Sequence, residues 1–390
     1  MKKAITIVSF RLVLLTILAF WVGCDRTDGP DTPDDPDDPD KPPVVVIDSL
    51  GVSVTTINFT AEQDASLIVV RTNTSWSAVS SAAWISLSAG SGTKNTGFLI
   101  GAPDNEGFRR EATVTLTAGD KTQLIEITQA GASTIHMSVK GVPLTLVLVE
   151  GDQFTMGSSD PSNASLQHQV KLSDFYISTT EITNAIWQAV VNSLPYESGS
   201  ETESGNNPVS STSWNAVTSQ FLPALNQLTG KSFRLPTEAE WEFAAMGGKE
   251  YKGYTYAGSN TLDEVGWYRT NAAQVKQKVA QKLPNELGIY DMSGNVNEWC
   301  NDWFDTYFGF ELQNQSVVIP DLQTNPTGPA SGTQKVIRGG NVESVEQWGF
   351  SECNVKFRKG IHPSGTDQQP GYSELAYLIE NTGFRIVLPL

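Results

Sequence analysis

Short runs of alternating apolar and polar residues, separated by turn signals, fill the segment from Val44 to Gly131. Seven such runs occur, among them "VSVTTINFTA", "REATVTLTAG" and "TQLIEITQAG". Strict alternation puts every second side chain on one face, and turns about every eight to twelve residues are typical of antiparallel sheets packed face to face. The pattern predicts an all-β, Ig-like sandwich over residues 44–131.

Two tryptophans and the ending "ITQAG" give this segment a family resemblance. With Trp76 and Trp84, residues 44–131 resemble the BACON domain, a module of secreted bacterial proteins for which carbohydrate or mucin binding is proposed. The resemblance implies two sugar-stacking rings, whereas the strand alternation points both rings into the core. The sandwich is therefore expected to be either a glycan-binding domain or a spacer.

The first 24 residues follow the order of a bacterial secretion signal. Two lysines precede an apolar run, and Gly23 stands before Cys24. This resembles a lipoprotein signal peptide over residues 1–23, after whose removal Cys24 carries acyl chains that give a stable membrane anchor. The alternative is an uncleaved membrane anchor, since the run is about long enough to span a bilayer. We expect a lipid-anchored protein at the outer membrane or cell surface.

Residues 24–43 form an Asp/Pro-rich linker. Proline recurs at every third position from Pro30 to Pro42, and eight aspartates lie between Asp25 and Pro43. A period of three matches polyproline II, so we expect a stiff, self-repelling stalk. Calcium binding by these aspartates is the weaker alternative, because the prolines keep the carboxylates from converging.

Charge and histidine content exclude two classes of function. The formal net charge of −17 becomes −20 when Lys2, Lys3 and Arg11 leave with the signal peptide, so no nucleic-acid partner is expected. The three histidines are scattered and never form a HxxH or HExxH pattern. A histidine-based zinc or iron centre is therefore not expected.

Six motifs follow one another between Ser133 and Leu390. They include "GDQFTMG", "RLPTEAEWEFAAMGG", "YDMSGNVNEW", "KVIRGG" and "NTGFRIVL". In this order they resemble formylglycine-generating-enzyme-type (sulfatase-modifying factor) domains. The resemblance implies an irregular α+β, C-type-lectin-like fold for residues 133–390, and hence a multidomain chain.

Three motif segments are predicted to be helical scaffold. Thr237 and Glu240 have the spacing of a capping box, so "TEAEWEFAA" is expected to be a helix that buries Trp241 and Ala245. "TEITNAIWQAV" and "SWNAVTSQFLPALNQLTG" have amphipathic patterns, and the second is expected to be interrupted at Pro223.

The "YDMSGNVNEW" loop is a predicted calcium site. In the resembled family the corresponding loop holds a structural calcium, which implies the side chains of Asp291 and Glu298 and the backbone carbonyls of Gly294 and Val296 as ligands. Calcium needs six to eight oxygens, and these residues supply four. The alternative is a hydrogen-bonded turn in which Glu298 caps backbone amides.

The cysteine positions argue against catalysis. Family enzymes hold copper(I) with two thiolates in the pattern RGGSW-C-x4-C, because soft thiolates suit this ion. Here Arg338 and the two glycines match, while Glu343 and Trp348 occupy the two cysteine positions. Even with Cys353 shifted into the second position, the first thiolate is missing. We therefore expect no copper.

Cys300 and Cys353 are the two cysteines left after lipidation. In an oxidising compartment this even pair is predicted to form a disulfide, which stabilises by about 2 to 4 kcal/mol. Two free buried thiols are the alternative.

The leading functional hypothesis is a lipoprotein whose formylglycine-enzyme-like domain is non-catalytic and serves ligand binding or structure. Some relatives of this type recognise ligands between the RGG and GFR motifs, here residues 341–381. Exposed candidates for binding a glycan or a protein are Glu343, Gln347, Trp348 and Phe350. The alternatives are a formylglycine-generating or related sulfatase-maturation enzyme, and a carbohydrate-binding protein that acts through the sandwich.

Overall fold

The structure is a computed structural model. It describes residues 49–159, 166–195, 205–306, 308, 312–313, 316–347, 350–364 and 379–390. The predicted signal peptide, Cys24 and the linker lie outside these ranges, as does Trp348. In the part of the chain so described, no helix is long and apolar enough to cross a membrane.

The N-terminal domain consists of two sheets that enclose one core. The strands are β1 (Leu50–Val52), β2 (Thr56–Phe59), β3 (Asp64–Thr72), β4 (Ser75–Ser80), β5 (Ser86–Leu87), β6 (Ser91–Thr93), β7 (Thr96–Ala102), β8 (Arg110–Ala118) and β9 (Lys121–Gln129). One sheet has the order β1-β3-β7-β5 and the other β2-β9-β8-β4-β6. All pairings are antiparallel except that of β2 with β9, which is parallel. The mostly-β prediction is confirmed, and the Ig-like class stays a prediction.

The alternation in the sequence becomes alternation of burial in this domain. In β3, Ile68, Val70 and Thr72 point into the core, while the residues between them are exposed. Trp76 from the second sheet lies against Phe98 from the first, with ring centroids 5.1 Å apart. The core is thus shared by both sheets, as period-two patterning requires.

A few aromatic contacts join the sandwich to the next domain. Phe108 packs edge-on against Tyr176 at 5.4 Å between ring centroids, and the Lys231 ammonium lies 4.2 Å from the Phe108 ring centroid. The Tyr176 hydroxyl donates to the carbonyl of Ala132 at 2.6 Å. A side chain at Gly131 would collide with this hydroxyl, so the connection between the domains needs glycine there.

The C-terminal domain mixes short strands, short helices and long loops. Its strands are β10 (Thr134–Val139), β11 (Val142–Val149), β12 (Gln153–Met156), β13 (His168–Lys171), β14 (Phe175–Ser178), β15 (Asn297–Trp303), β16 (Leu312–Gln313), β17 (Ser316–Val317), β18 (Gln323–Thr324), β19 (Lys335–Arg338), β20 (Glu346–Gln347), β21 (Phe350–Ser351), β22 (Lys359–Ile361), β23 (Thr382–Gly383) and β24 (Val387–Pro389). Its helices are α1 (Asn184–Val191), α2 (Trp214–Ala216), α3 (Leu222–Thr229), α4 (Glu238–Ala245), α5 (Leu262–Val265) and α6 (Arg269–Ala272).

Two sheets of this domain carry the motif residues. One has the order β10-β11-β14-β24 and the other β22-β19-β15-β23. The second sheet therefore sets the "NEW" motif in β15 between the RGG motif at the end of β19 and the GFR motif, which begins in β23. Three segments that are far apart in the sequence meet in this way.

The helix predicted from "TEAEWEFAA" is present as α4. Thr237 accepts from the backbone N–H of Glu240, and Glu240 accepts in return from the N–H of Thr237, which is the predicted capping box. One expectation was too narrow, because all eight residues of α4 are buried and not only the face of Trp241 and Ala245. Its glutamates are accommodated by arginines, as described below.

The interruption expected at Pro223 is present only as a change in helix type, because residues 214–229 remain helical throughout. Helix α2 continues into a π-helical segment, Val217–Phe221, and α3 starts immediately before the proline. Pro223 has no N–H to donate to a carbonyl one turn earlier, and its ring crowds that carbonyl. The wider turn of the π-helical segment accommodates the proline.

Candidate functional site

The RGG turn is built around a buried arginine. Arg338 ends β19, and its guanidinium donates to Glu242 of α4 at 2.5 Å and to the carbonyl of Phe357 at 2.6 Å. Gly339 and Gly340 follow with φ angles of 92° and 71°, a region that favours glycine. An ion pair therefore fixes the turn to α4, and the two glycines allow the chain to change direction there.

The fold brings Cys353 against this turn. A Cβ atom added to Gly340 would lie 2.8 Å from the Cys353 sulfur. Ser351 and Ser344 are hydrogen-bond neighbours of the thiol, and complete burial raises the pKa of Cys353 to about 12. A thiol with this pKa stays protonated at neutral pH in the metal-free protein.

Glu343 occupies the first predicted cysteine position and is half-buried. Its backbone N–H donates to the Asn341 side chain at 2.8 Å, which makes a tight turn directly after the glycines. The second predicted position, Trp348, lies outside the described residues.

The predicted disulfide is not formed. Cys300 and Cys353 are both free and buried. Cys300 packs with Trp241 and Met292, while Cys353 packs in a separate cluster with Tyr256 and its neighbours. Burial raises the pKa of both thiols, and Cys300 is placed by β15 and not by the RGG turn. The even count of cysteines was therefore a misleading signal.

In the predicted calcium loop, Glu298 serves a different partner. Arg385 of the GFR motif donates from Nε to Glu298 Oε2 at 2.6 Å and from Nη2 to Oε1 at 2.7 Å. Trp241 Nε1 also donates to Oε2 at 2.6 Å. Both oxygens of Glu298 are therefore engaged by Arg385 and Trp241, and calcium binding by Asp291, Glu298 and the carbonyls of Gly294 and Val296 stays a prediction.

The loop nevertheless holds buried oxygens without partners. Asp291 accepts from the Ala280 N–H through Oδ2 at 2.7 Å, while its Oδ1 has no hydrogen-bond partner among the described residues. The same is true of both carboxylate oxygens of Glu181. Burial, together with neighbouring carboxylates, raises the pKa of Asp291 to about 6 and that of Glu181 well above its usual value. Within the described ranges, His, Cys, Asp and Glu form no group of three or more arranged to hold a metal ion.

Sequence reasoning missed the ion pairs beneath α4. Arg358 donates from Nε and Nη2 to the two oxygens of Glu238, each at 2.6 Å, and all these groups are buried. The signal was present, because Glu238 and Glu242 stand four residues apart in a helix whose other positions, apart from the capping residue Glu240, are apolar. Such carboxylates have no solvent-facing side and require cations.

The predicted ligand-binding segment forms a small hairpin. Strands β20 and β21 pair Glu346 with Ser351 and Gln347 with Phe350, and Gln347 is exposed. Tyr256 donates to Glu346 at 2.6 Å and so fixes the hairpin to the body of the domain. Nothing is described for the Phe350 side chain.

The two sandwich tryptophans differ in their surroundings. Trp76 is in the core and donates from Nε1 to Thr96 at 2.9 Å, so its ring does not form a surface platform. Trp84 is half-buried, with the Arg110 guanidinium 4.4 Å from its ring centroid.

Fold and site together define a class: a two-sheet domain followed by an irregular α+β domain. In the second domain a buried ion pair joins the NEW and GFR motifs, and the RGG arginine forms an ion pair with α4. Residues 135–376 match the family model of the sulfatase-modifying factor enzyme 1-like domain, and residues 74–130 match that of the BACON domain. The chain belongs to the sulfatase-modifying factor enzyme 1-like family.

Similar proteins differ in their named roles. The chain is 34% identical over 207 residues to the chaperone protein LppX of Paenibacillus barcinonensis, covering 40% of this chain and 71% of that protein. It is 34% identical over 196 residues to the formylglycine-generating enzyme of Streptomyces coelicolor, covering 46% of this chain but only 52% of the enzyme. Treponema denticola variable protein 1 is similar in structure, with a TM-score of 0.54, 26% identity and coverage of 66% of this chain and all of that one.

Proposed function

We propose that the chain is a lipid-anchored envelope protein whose C-terminal domain binds a ligand and does not generate formylglycine. One observation carries the proposal: a single thiol, Cys353, faces the RGG turn, and it is buried beside Ser344 and Ser351 with a pKa of about 12. Copper(I) is held by paired thiolates, and one thiol next to two serine hydroxyls supplies only one sulfur.

A copper(I) titration with a matched variant tests the donor set. Ser344→Cys puts a second sulfur beside Cys353, while Cys24 and Cys300 are the same in both proteins. We expect Ser344→Cys to bind one copper(I) ion more than the parent in competition with a copper(I) chelator. The proposal would be overturned if the parent bound as many copper(I) ions as Ser344→Cys and if Cys353→Ser bound one ion fewer than the parent.

The hairpin of β20 and β21 is the proposed binding surface, and a protein is the proposed ligand. Its base is held by the Tyr256–Glu346 hydrogen bond, and Gln347 is exposed. A relative that is named a chaperone supports a protein ligand, with a glycan as the alternative. A photo-crosslinking residue at Gln347 is expected to give specific adducts in envelope extracts. The same residue at Leu124, which is exposed on the sandwich, serves as the control.

The proposed anchor is tested by fractionation. Replacement of Cys24 by Ser removes the lipid acceptor, so the variant is expected to leave the membrane fraction that holds the parent. Retention of Cys24→Ser in the membrane favours the alternative of an uncleaved anchor.

A calcium ion at the "YDMSGNVNEW" loop also remains a proposal. The unpartnered Asp291 Oδ1 and the two oxygens of Glu181 favour a cation, whereas Glu298 is engaged by Arg385. A buried carboxylate without a partner is costly, so the ion would relieve an existing penalty. Glu181, which the sequence did not single out, would then be a ligand in place of Glu298.

A further inference from the structure

A pocket of 180 Å³ lies between α4 and the segment Gln323–Gly328. It shares no residue with the proposed binding hairpin. Its floor is buried and includes Met156, His168, Ala239 and Asp302, while Thr327 and Gly328 at its rim are exposed. The floor combines apolar side chains with one imidazole, that of His168, and one acid.

Asp302 presents one carboxylate oxygen to this pocket. It is only 4% exposed, and its Oδ2 accepts from the N–H of Glu238 at the start of α4 at 3.1 Å. Its Oδ1 makes no hydrogen bond to any described residue. A Cβ atom at Gly328 would stand 3.0 Å from Oδ1, so the glycine keeps the approach to this oxygen open.

The neighbouring cations are engaged elsewhere. Arg358 is bound to both oxygens of Glu238. The Lys335 ammonium donates to the carbonyl of Asn301 at 2.8 Å and lies between the rings of Trp214 and Trp303. The acid at the floor therefore has an oxygen to offer to a donor that enters from outside.

The residues that line the pocket indicate which chemical group would bear this donor. Met156, Ala239 and Phe308 line the pocket with apolar surface, which suits methylene groups rather than a fully hydrated ion. The chain carries a formal net charge of −17, which attracts cations.

We propose that this pocket binds a primary alkylammonium group, whose ammonium donates to Asp302 Oδ1 while its alkyl stem packs on Met156 and Ala239. A lysine side chain of a partner and a free amine share this chemistry. Burial and the charge of Glu238 raise the pKa of Asp302 to about 8. An empty pocket therefore holds a protonated acid at neutral pH, and ammonium binding releases that proton to solvent.

Calorimetry on the full chain tests the proposal with n-butylamine and its neutral counterpart n-butanol. We expect n-butylamine to bind at least tenfold more tightly than n-butanol. Asp302→Asn keeps an acceptor for the Glu238 N–H but cannot become a carboxylate, so it should reduce n-butylamine binding to the level of n-butanol. Equal binding of the two probes by the parent, or unchanged n-butylamine binding by Asp302→Asn, would overturn it.

A second variant obstructs the pocket without removing the acid. Gly328 has a φ of 70°, which asparagine tolerates, and Gly328→Asn would fill the approach to Oδ1. Gly141→Asn is the matched control, because Gly141 also has a positive φ, of 89°, and a Cβ there meets nothing within 4 Å. Gly328→Asn is expected to lose n-butylamine binding and Gly141→Asn to keep it; equal binding by the two contradicts the proposal.

The two sources are separated with Nα-acetyl-lysine N-methylamide and cadaverine as further probes. Binding of the lysine derivative points to a lysine side chain of a partner, and binding of cadaverine alone points to a free amine. If neither binds, the pocket does not take alkylammonium groups.

Discussion

Glu298 and Arg385 form a bidentate ion pair in the interior of the C-terminal domain, with nitrogen–oxygen distances of 2.6 and 2.7 Å. Trp241 from α4 donates to the same carboxylate. The pair joins the NEW motif to the GFR motif, which is 87 residues further along the chain. Two motifs that look independent in the sequence are halves of one contact.

Loss of Arg385 is expected to be strongly destabilising. Arg385→Ala would leave the buried carboxylate of Glu298 unpaired, next to Asp291 and Glu181, at a cost of about 3–5 kcal/mol in the free energy of unfolding. The measurement is urea unfolding. Arg109→Ala is the control, since the Arg109–Glu111 pair is exposed and contributes about 0–1 kcal/mol. Similar losses of unfolding free energy in the two variants would show that burial does not increase the contribution of the Arg385–Glu298 pair to stability.

The cysteines give a chemical test of the core. In Cys24→Ser, denatured without reductant, a thiol reagent is expected to count two free thiols, because Cys300 and Cys353 are unbonded. In the native protein both should react slowly, since both are buried and their pKa values are raised. A count of zero would restore the disulfide that the sequence suggested.

Asp302 is expected to make stability depend on pH. Its pKa is raised from 3.8 to about 8, so between these values the folded protein holds a proton that the unfolded chain has lost. Stability contributed by this group is therefore lost as pH rises from about 4 to about 8. Asp302→Asn does not ionise, so its unfolding free energy should fall less between pH 5 and pH 8. Parallel pH profiles for parent and variant would refute this.

Calcium binding is tested by thermal melts. With a calcium ion at Asp291 and Glu181, the parent should melt several degrees lower in chelator than in calcium, because a ligand that binds only the folded state stabilises it. Asp291→Asn should weaken this difference. Asp263→Asn, on the short helix α5, is the control. Identical melting temperatures of the parent in calcium and in chelator would contradict calcium binding at this site.

Local patterns predicted local structure well. Alternation predicted the burial pattern of β3, and the Thr237–Glu240 spacing predicted the cap of α4. Pro223 lies directly after the π-helical segment that changes the helix type. Each depends on residues within a few positions of one another, where propensity and hydrogen bonding act directly.

Pairings between distant segments were beyond such reasoning. That Cys353 meets Gly340 while Cys300 packs with Trp241 depends on how β15 and β19 align, and no spacing in the sequence encodes it. The partner of Glu298 could not be predicted either. Its carboxylate suits a calcium ion, but in the fold it pairs with the arginine of the GFR motif. Chemical type alone does not decide between two partners that both suit a carboxylate.

The most direct test of the central claim is the conversion of a peptide. The mature protein is incubated with copper(I), oxygen and a Cys-x-Pro-x-Arg peptide, with the Streptomyces coelicolor enzyme as positive control, and the peptide mass is followed. We predict an unchanged peptide with this protein and the aldehyde product with the control. Formation of the aldehyde by this protein, abolished in Cys353→Ser, would contradict a non-catalytic domain.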